Sequence, residues 1–315
     1  MGHPRIAQEI MVTKLVTLQP DHDVFQAMRL LLKYRITGAP VIDNERNFAG
    51  VFSDKRSMIV LSAILKVLAE RDDPRNALPK AKDIMAARLV TLTPQMDAFE
   101  AIGYLLKHRI SGAPVLDPQG CLLGVFSERY SMSVLINSAY DQLPTTDVSA
   151  FLNTDFGRAI SEEIDLLSMV EIFLDNYYRR LPVLRDGKLL GQVSRRDVLQ
   201  AALKLFSHAQ GRQAVERFLS SQNNAAGEMS AAVETFMNKD ALTITEETEL
   251  LKIAEIFLHT NNRRLPVLRD GKLLGQVSRR DVLQAALDLN SFAPKDESSL
   301  LYLSSLVERG DAPVE

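Results

Sequence analysis

The sequence predicts a mixed α/β (α+β) fold made of four copies of one β-α-β-β-α unit. Three observations predict it. The segment RRLPVLRDGKLLGQVSRRDVLQAAL runs from Arg179 to Leu203 and recurs unchanged from Arg263 to Leu287. A second pair of related segments opens the chain, LVTLQPDHDVFQAMRLLLKYRITGAPVID from Leu15 and LVTLTPQMDAFEAIGYLLKHRISGAPVLD from Leu89. All four copies share one punctuation: Pro40, Pro114, Pro182 and Pro266, then Gly50, Gly124, Gly191 and Gly275, then Ser53, Ser127, Ser194 and Ser278. Repeats of this length point to stacked or paired units, because one unit alone leaves an apolar face uncovered.

Each element has its own signal. A short strand ends near Thr17, Thr91, Ala159 and Thr243. The following helix carries apolar residues at helical spacing, as at Leu250, Ala254, Phe257 and Leu258. LPVL and KLLGQV read as short strands, and the intervening RDGK contains Asp-Gly, the pair a tight hairpin turn needs for positive φ. The serine then caps the final helix. In chain order these elements divide into a first module over 1–140 (units near 10–62 and 83–137) and a linker over 141–149. A second module follows over 150–290 (units near 152–205 and 232–289), then a tail over 291–315 with one short helix. SQNNAAG from Ser221 reads as a flexible stretch.

Bulk composition narrows the function. A net charge of −3 over 315 residues gives no global attraction to nucleic acid or anionic membrane. The single cysteine rules out an intrachain disulfide framework and suits a reducing compartment. No apolar run approaches a membrane span, so a cytoplasmic location is the expectation. No nucleophile–base–acid set, phosphate-loop motif or metal-ligand cluster is visible, which argues against an enzyme.

The β-α-β-β-α order, the strand-flanking proline and the closing G-h-h-S-x-x-D pattern (h, apolar) resemble those of cystathionine-β-synthase (CBS) domains, in four copies over roughly residues 10–290. The resemblance implies two Bateman modules stacked as a disc. It also implies clefts that take AMP, ADP or ATP, as in nucleotide-sensing regulatory subunits, with no covalent cofactor and with Mg²⁺ admitted alongside ATP. A protein partner, not identifiable from sequence, would read the bound state.

Ser194-Arg195-Arg196-Asp197 and Ser278-Arg279-Arg280-Asp281 open the last helices of repeats three and four. Serine at the cap and an acid three residues on make a capping box. The arginines oppose the helix dipole unless an anion sits there. The candidate nucleotide site is therefore Arg179 and Arg263 for phosphate and Asp197 and Asp281 for ribose. Arg180, Arg264, Ser194, Ser278, Arg196 and Arg280 support them. In line with the resemblance, adenine is expected against the backbone of Ala159–Ser161 and Thr243–Thr245. The N-terminal pair departs from the pattern, with Arg56 and Tyr130 in the aspartate slot and Thr37 and Ser111 in the arginine slot. Asp54 and Glu128, one residue after the serine, read as helix-dipole partners. That pair is expected to bind nucleotide weakly or not at all and to offer a dimer or partner surface. The competing reading is a structural or oligomerisation module with vestigial sites.

Overall fold

The computed structural model describes residues 5–70, 78–139, 146–221 and 231–291. The stretch SQNNAAG expected to be flexible lies outside those residues beyond Ser221, as do the start of the linker at 141–145 and the tail beyond 291.

Repeat one contains α2 (Val24–Lys33), β1 (Gly38–Ile42), β2 (Phe48–Ser53) and α3 (Asp54–Ala69). Repeat two matches it with α5 (Ala98–Lys107), β3 (Gly112–Leu116), β4 (Leu122–Ser127) and α6 (Glu128–Ala139). Repeat three has β5 (Ile160–Ser161), α7 (Leu166–Asp175), β6 (Arg180–Arg185), β7 (Lys188–Ser194) and α8 (Arg195–Phe206), extended by α9 (Ala209–Ser221). Repeat four has β8 (Ile244–Thr245), α11 (Leu250–His259), β9 (Arg264–Arg269), β10 (Lys272–Ser278) and α12 (Arg279–Ser291). Three short leading helices, α1 (Ala7–Ile10), α4 (Ala81–Ile84) and α10 (Val233–Phe236), precede repeats one, two and four. A 3-10 turn at Val148–Phe151 precedes repeat three.

The Asp-Gly turns adopt the conformation the sequence demands. Asp186 and Gly187 have φ of 51° and 77°, and Asp270 and Gly271 have 50° and 75°, so both central residues are left-handed, as a two-residue hairpin turn requires. The first strand is weaker than expected. It is two residues long in repeats three and four and shrinks to single parallel bridges, Leu18 to Val41 and Leu92 to Val115, in repeats one and two.

The pairing of repeats differs from chain order. Each leading segment crosses to another repeat. Residues of the first segment bridge repeat four (Ile6 to Glu249, Val12 to Gln276), and those before repeat four bridge repeat one (Asp23 to Ala232, Val51 to Asn238). Repeats two and three exchange in the same way (Lys80 to Asp165, Ala86 to Gln192, Asp97 to Asp147, Val125 to Asn153). Long helices make the other contacts: α3 packs on α7, α8 and α9, and α6 packs on α11 and α12. One apolar core therefore merges repeats one and three, and the other merges repeats two and four. The repeats close a ring in the order one, four, two, three. The chain-order pairing drawn from sequence does not describe these contacts. Nothing in the local pattern of a repeat says which other copy will cover it, and near-identical units offer near-identical faces.

The ring explains the glycine of the shared punctuation. A β-carbon on Gly50 would stand 2.5 Å from the Asn238 carbonyl oxygen, on Gly124 2.9 Å from that of Asn153, on Gly191 2.7 Å from that of Ala86, and on Gly275 2.8 Å from that of Val12. In every copy the obstacle is backbone of the exchanged leading segment. Gly191→Ala should therefore destabilise the protein by about 1–3 kcal/mol through overpacking that a rotamer change cannot relieve. Urea unfolding measures it, and a change below experimental error would contradict the contact.

Candidate functional site

The identical copies in repeats three and four bring their arginines together at the centre of the ring. A cavity of about 610 Å³ opens there and runs into the cleft between repeats one and four. Arg179, Arg195, Arg263 and Arg264 line it, with Lys55 and Arg56 from the start of α3. Asp54 is its one lining carboxylate among the described residues. Its lining also includes Tyr177, Ile59 and Leu242, which are 65%, 39% and 43% exposed.

Arg179 donates from Nη2 to the Asn261 carbonyl at 3.1 Å. Burial and the charges of Arg263, Arg279 and Arg195 hold its guanidinium well below the usual arginine range, and Asp54 offsets this in part. Arg180 and Arg264 make matching bonds, Nη1 to Ser111 Oγ and Nη1 to Thr37 Oγ1, both 2.8 Å. The two residues that replace arginine in repeats one and two are thus hydrogen-bond partners of the arginines in repeats three and four. Burial pushes Arg180 and Arg264 down to about 10, with Arg263 as the largest repulsive neighbour.

The paired arginines at the helix starts divide their roles. Arg195 and Arg279 turn back to the ends of α7 and α11. Arg195 Nη2 reaches the carbonyls of Phe173 (3.4 Å) and Asn176 (3.3 Å), and Arg279 Nη2 those of Phe257 (2.9 Å) and Thr260 (3.0 Å). A cation on the last carbonyls of a helix answers the dipole, so this member of each pair has a structural function that its position in its own helix conceals. Arg196 and Arg280 stay partly buried at the first turns; Arg280 lies 3.7 Å from Glu128 and its Nε has no hydrogen-bond partner.

Asp197 Oδ2 accepts from Ser194 N and Oγ at 2.8 and 2.7 Å, and Asp281 Oδ2 accepts from Ser278 N and Oγ, both at 2.7 Å. The capping boxes are therefore formed, and neither aspartate lines the cavity. Burial raises the Asp281 carboxyl pKa, against the lowering effect of the Ser278 bonds. Asp197→Ala should cost about 1 kcal/mol through loss of the cap, readable as a lower melting temperature. A loss far above that would give the carboxylate another structural role. Ala159, Ser161, Thr243 and Thr245 flank or form β5 and β8 and do not line the cavity; their neighbours Ala241 and Leu242 do. Sequence reading missed Lys55, Tyr177 and Asn238 as site residues. It read Asp54 as a dipole partner, whereas Asp54 Oδ1 lies 3.5 Å from Arg195 Nη1.

The cleft between repeats two and three is built differently. Tyr130 and Arg158 stand where Arg56 and Leu242 stand in the open cleft. Arg158 lies over the Tyr178 ring, and Tyr178 donates to Asp155 at 2.5 Å. Arg129, the counterpart of Lys55 at the start of α6, turns to repeat four instead and bonds the Leu258 carbonyl and Asn261 Oδ1 at 3.0 and 2.9 Å.

The CBS-domain model matches residues 7–56, 81–130, 144–204 and 233–288. The chain belongs to the CBS-domain family. Among curated relatives, protein MJ1225 of Methanocaldococcus jannaschii is 25% identical, over 86% of this chain and 95% of its own. Inosine-5'-monophosphate dehydrogenase of the same organism is 26% identical, over 52% of this chain and 31% of its own. The solved MJ1225 structure covers 89% of this chain and 99% of its own, at 22% identity and a TM-score of 0.39. CBSX2, solved in complex with AMP, covers 40% of this chain and 97% of its own, at 25% identity and a TM-score of 0.36. No helix among the described residues is long and apolar enough to cross a membrane.

Proposed function

We propose that this CBS-domain chain is a non-catalytic regulatory protein that binds an adenosine nucleotide (AMP, ADP or ATP) between repeats one and four and signals its occupancy to a protein partner. The observation that carries the reading is the convergence of Arg179, Arg195, Arg263, Arg264, Lys55 and Arg56 on one cavity with a single carboxylate. Cations gathered against their own repulsion are stabilised by a polyanion, and arginine forks suit phosphate. A volume of about 610 Å³ lies within the range of small-molecule sites. Phosphate is assigned to Arg179 and Arg263. The base is assigned to the apolar rim of Leu242, Ile59 and Tyr177, beside the backbone first expected to hold adenine. Ribose is assigned to Ser53 and Asn238, which line the cavity, in place of Asp197 and Asp281, which do not. Repeat one then contributes half of the site, contrary to the weak role its sequence suggested.

Calorimetry of the full chain with AMP, ADP, ATP, NAD and S-adenosylmethionine tests this. Binding of an adenine nucleotide, tightening with phosphate count, is the expected result. No heat with any of them at millimolar concentration overturns it. The two formed capping boxes favour a second reading, an assembly module with vestigial sites, and that reading requires melting temperatures unaffected by nucleotide.

A further inference from the structure

Repeats three and four are identical over their arginine-bearing segments, yet the two halves of the ring centre differ in charge. The difference comes from the other two repeats. Asp54 and Glu128 hold the same position, the first residue of α3 and of α6. Asp54 is the shorter and meets Arg195, its Oδ1 3.5 Å from Nη1. Glu128 has one more methylene and reaches further in. Its side chain is 3% exposed, its Oε2 lies 3.6 Å from Arg263 Nε, and its Oε1 lies 3.7 Å from Arg280 Nη2. Arg179 is the equivalent of Arg263 in repeat three. It has no carboxylate within ion-pair distance among the described residues and is held by a carbonyl. The cavity lies on the Asp54 side and does not include Glu128.

We infer that Glu128 is a built-in counter-ion that competes with bound phosphate for Arg263 and so sets how tightly the ring centre holds a polyanion. The two distances, both beyond hydrogen-bonding reach, describe a carboxylate shared between cations and committed to neither. A phosphate drawn to Arg263 must share that arginine with Glu128, whereas one on Arg179 meets no internal competitor. The length of one acidic side chain per half thus makes two equivalent arginine sets unequal. The inference rests on the cavity being an anion site, and it does not depend on which nucleoside, if any, carries the phosphates.

The test is calorimetry of the full chain with inorganic triphosphate, comparing wild type, Glu128→Gln and Asp54→Glu, with circular dichroism melts to confirm folding. Glu128→Gln should tighten binding by about tenfold, the order of one charge-assisted contact released to the ligand. Asp54→Glu brings a second internal carboxylate toward Arg179 and should weaken binding by a similar factor. Equal affinity of wild type and a folded Glu128→Gln overturns the inference. Should Glu128→Gln fail to fold, unchanged affinity in Asp54→Glu overturns it alone. Triphosphate binding that follows this order without adenine-nucleotide binding would leave the inference standing and remove the nucleotide reading. No triphosphate binding by wild type or variants removes both.

Discussion

Residues 146–291, expressed alone, will fail to form a cooperatively folded monomer, although they contain two complete repeats. The packing faces of α7 and α8 are covered by α3, and those of α11 and α12 by α6, all from the other half of the chain. Val170, Phe173 and Val198 are fully buried in one core with Met58, Leu61 and Leu65, and Ile253, Phe257 and Val282 in the other with Ile102, Met132 and Val134. Stripping six such side chains forfeits about 1.5–3 kcal/mol each, more than the net stability of most domains. Residues 146–291 should give a non-cooperative thermal melt and rapid proteolysis, and co-expression with residues 1–139 should restore a cooperative melt and protease resistance. A sharp reversible melt of the half chain would show that chain-order modules fold independently and that the ring contacts are secondary.

Replacing Arg179 with methionine will have two opposite effects. Without ligand, the protein should become more stable by about 1 kcal/mol, because a half-buried cation repelled by three other arginines is exchanged for an apolar chain of similar length. With ATP or inorganic triphosphate, affinity should fall at least about tenfold, because Arg179 lines the cavity with no carboxylate within ion-pair distance among the described residues and is free to bind phosphate. Melting curves with and without ligand measure both, and the sign reversal is the informative part. A merely structural arginine loses stability when removed, and its loss would not discriminate between the two conditions. If methionine lowers the ligand-free melting temperature, Arg179 is holding the fold together and the case for a strained anion site fails.

The turns at Asp186 and Asp270, the serine caps and the helices were legible because each is decided within a few residues. Arg179 and Arg263 were legible as a pair because the duplicated segment placed them in one register. Which repeat faces which was not legible, because that choice depends on faces contributed by other repeats, many of them more than a hundred residues away along the chain. Three local readings changed as a result. Asp197 and Asp281 satisfied both a capping rule and a ribose role; the cap is formed, and neither residue lines the cavity. Arg195 looked like an unfavourable charge at its own helix start, and its partner proved to be the end of the preceding helix. Asp54, one residue after its serine, showed no partner until repeat three was laid against repeat one.

The exchange of leading segments also constrains the time course of synthesis. The first strand bridges of the described chain join residues 6 and 12 to residues 249 and 276. On a ribosome, repeat one must therefore emerge and persist with its leading segment unpaired until residues 249–276 have been made. Contacts this remote in sequence make for slow closure and leave apolar surface uncovered in the interval. The nascent chain has three other copies of nearly the same docking surface available to it before the correct one exists. The small departures between copies, such as Tyr130 for Arg56 or Glu128 for Asp54, therefore bear on assembly as well as on ligand, since they are among the features by which a waiting segment can tell its partner from the decoys.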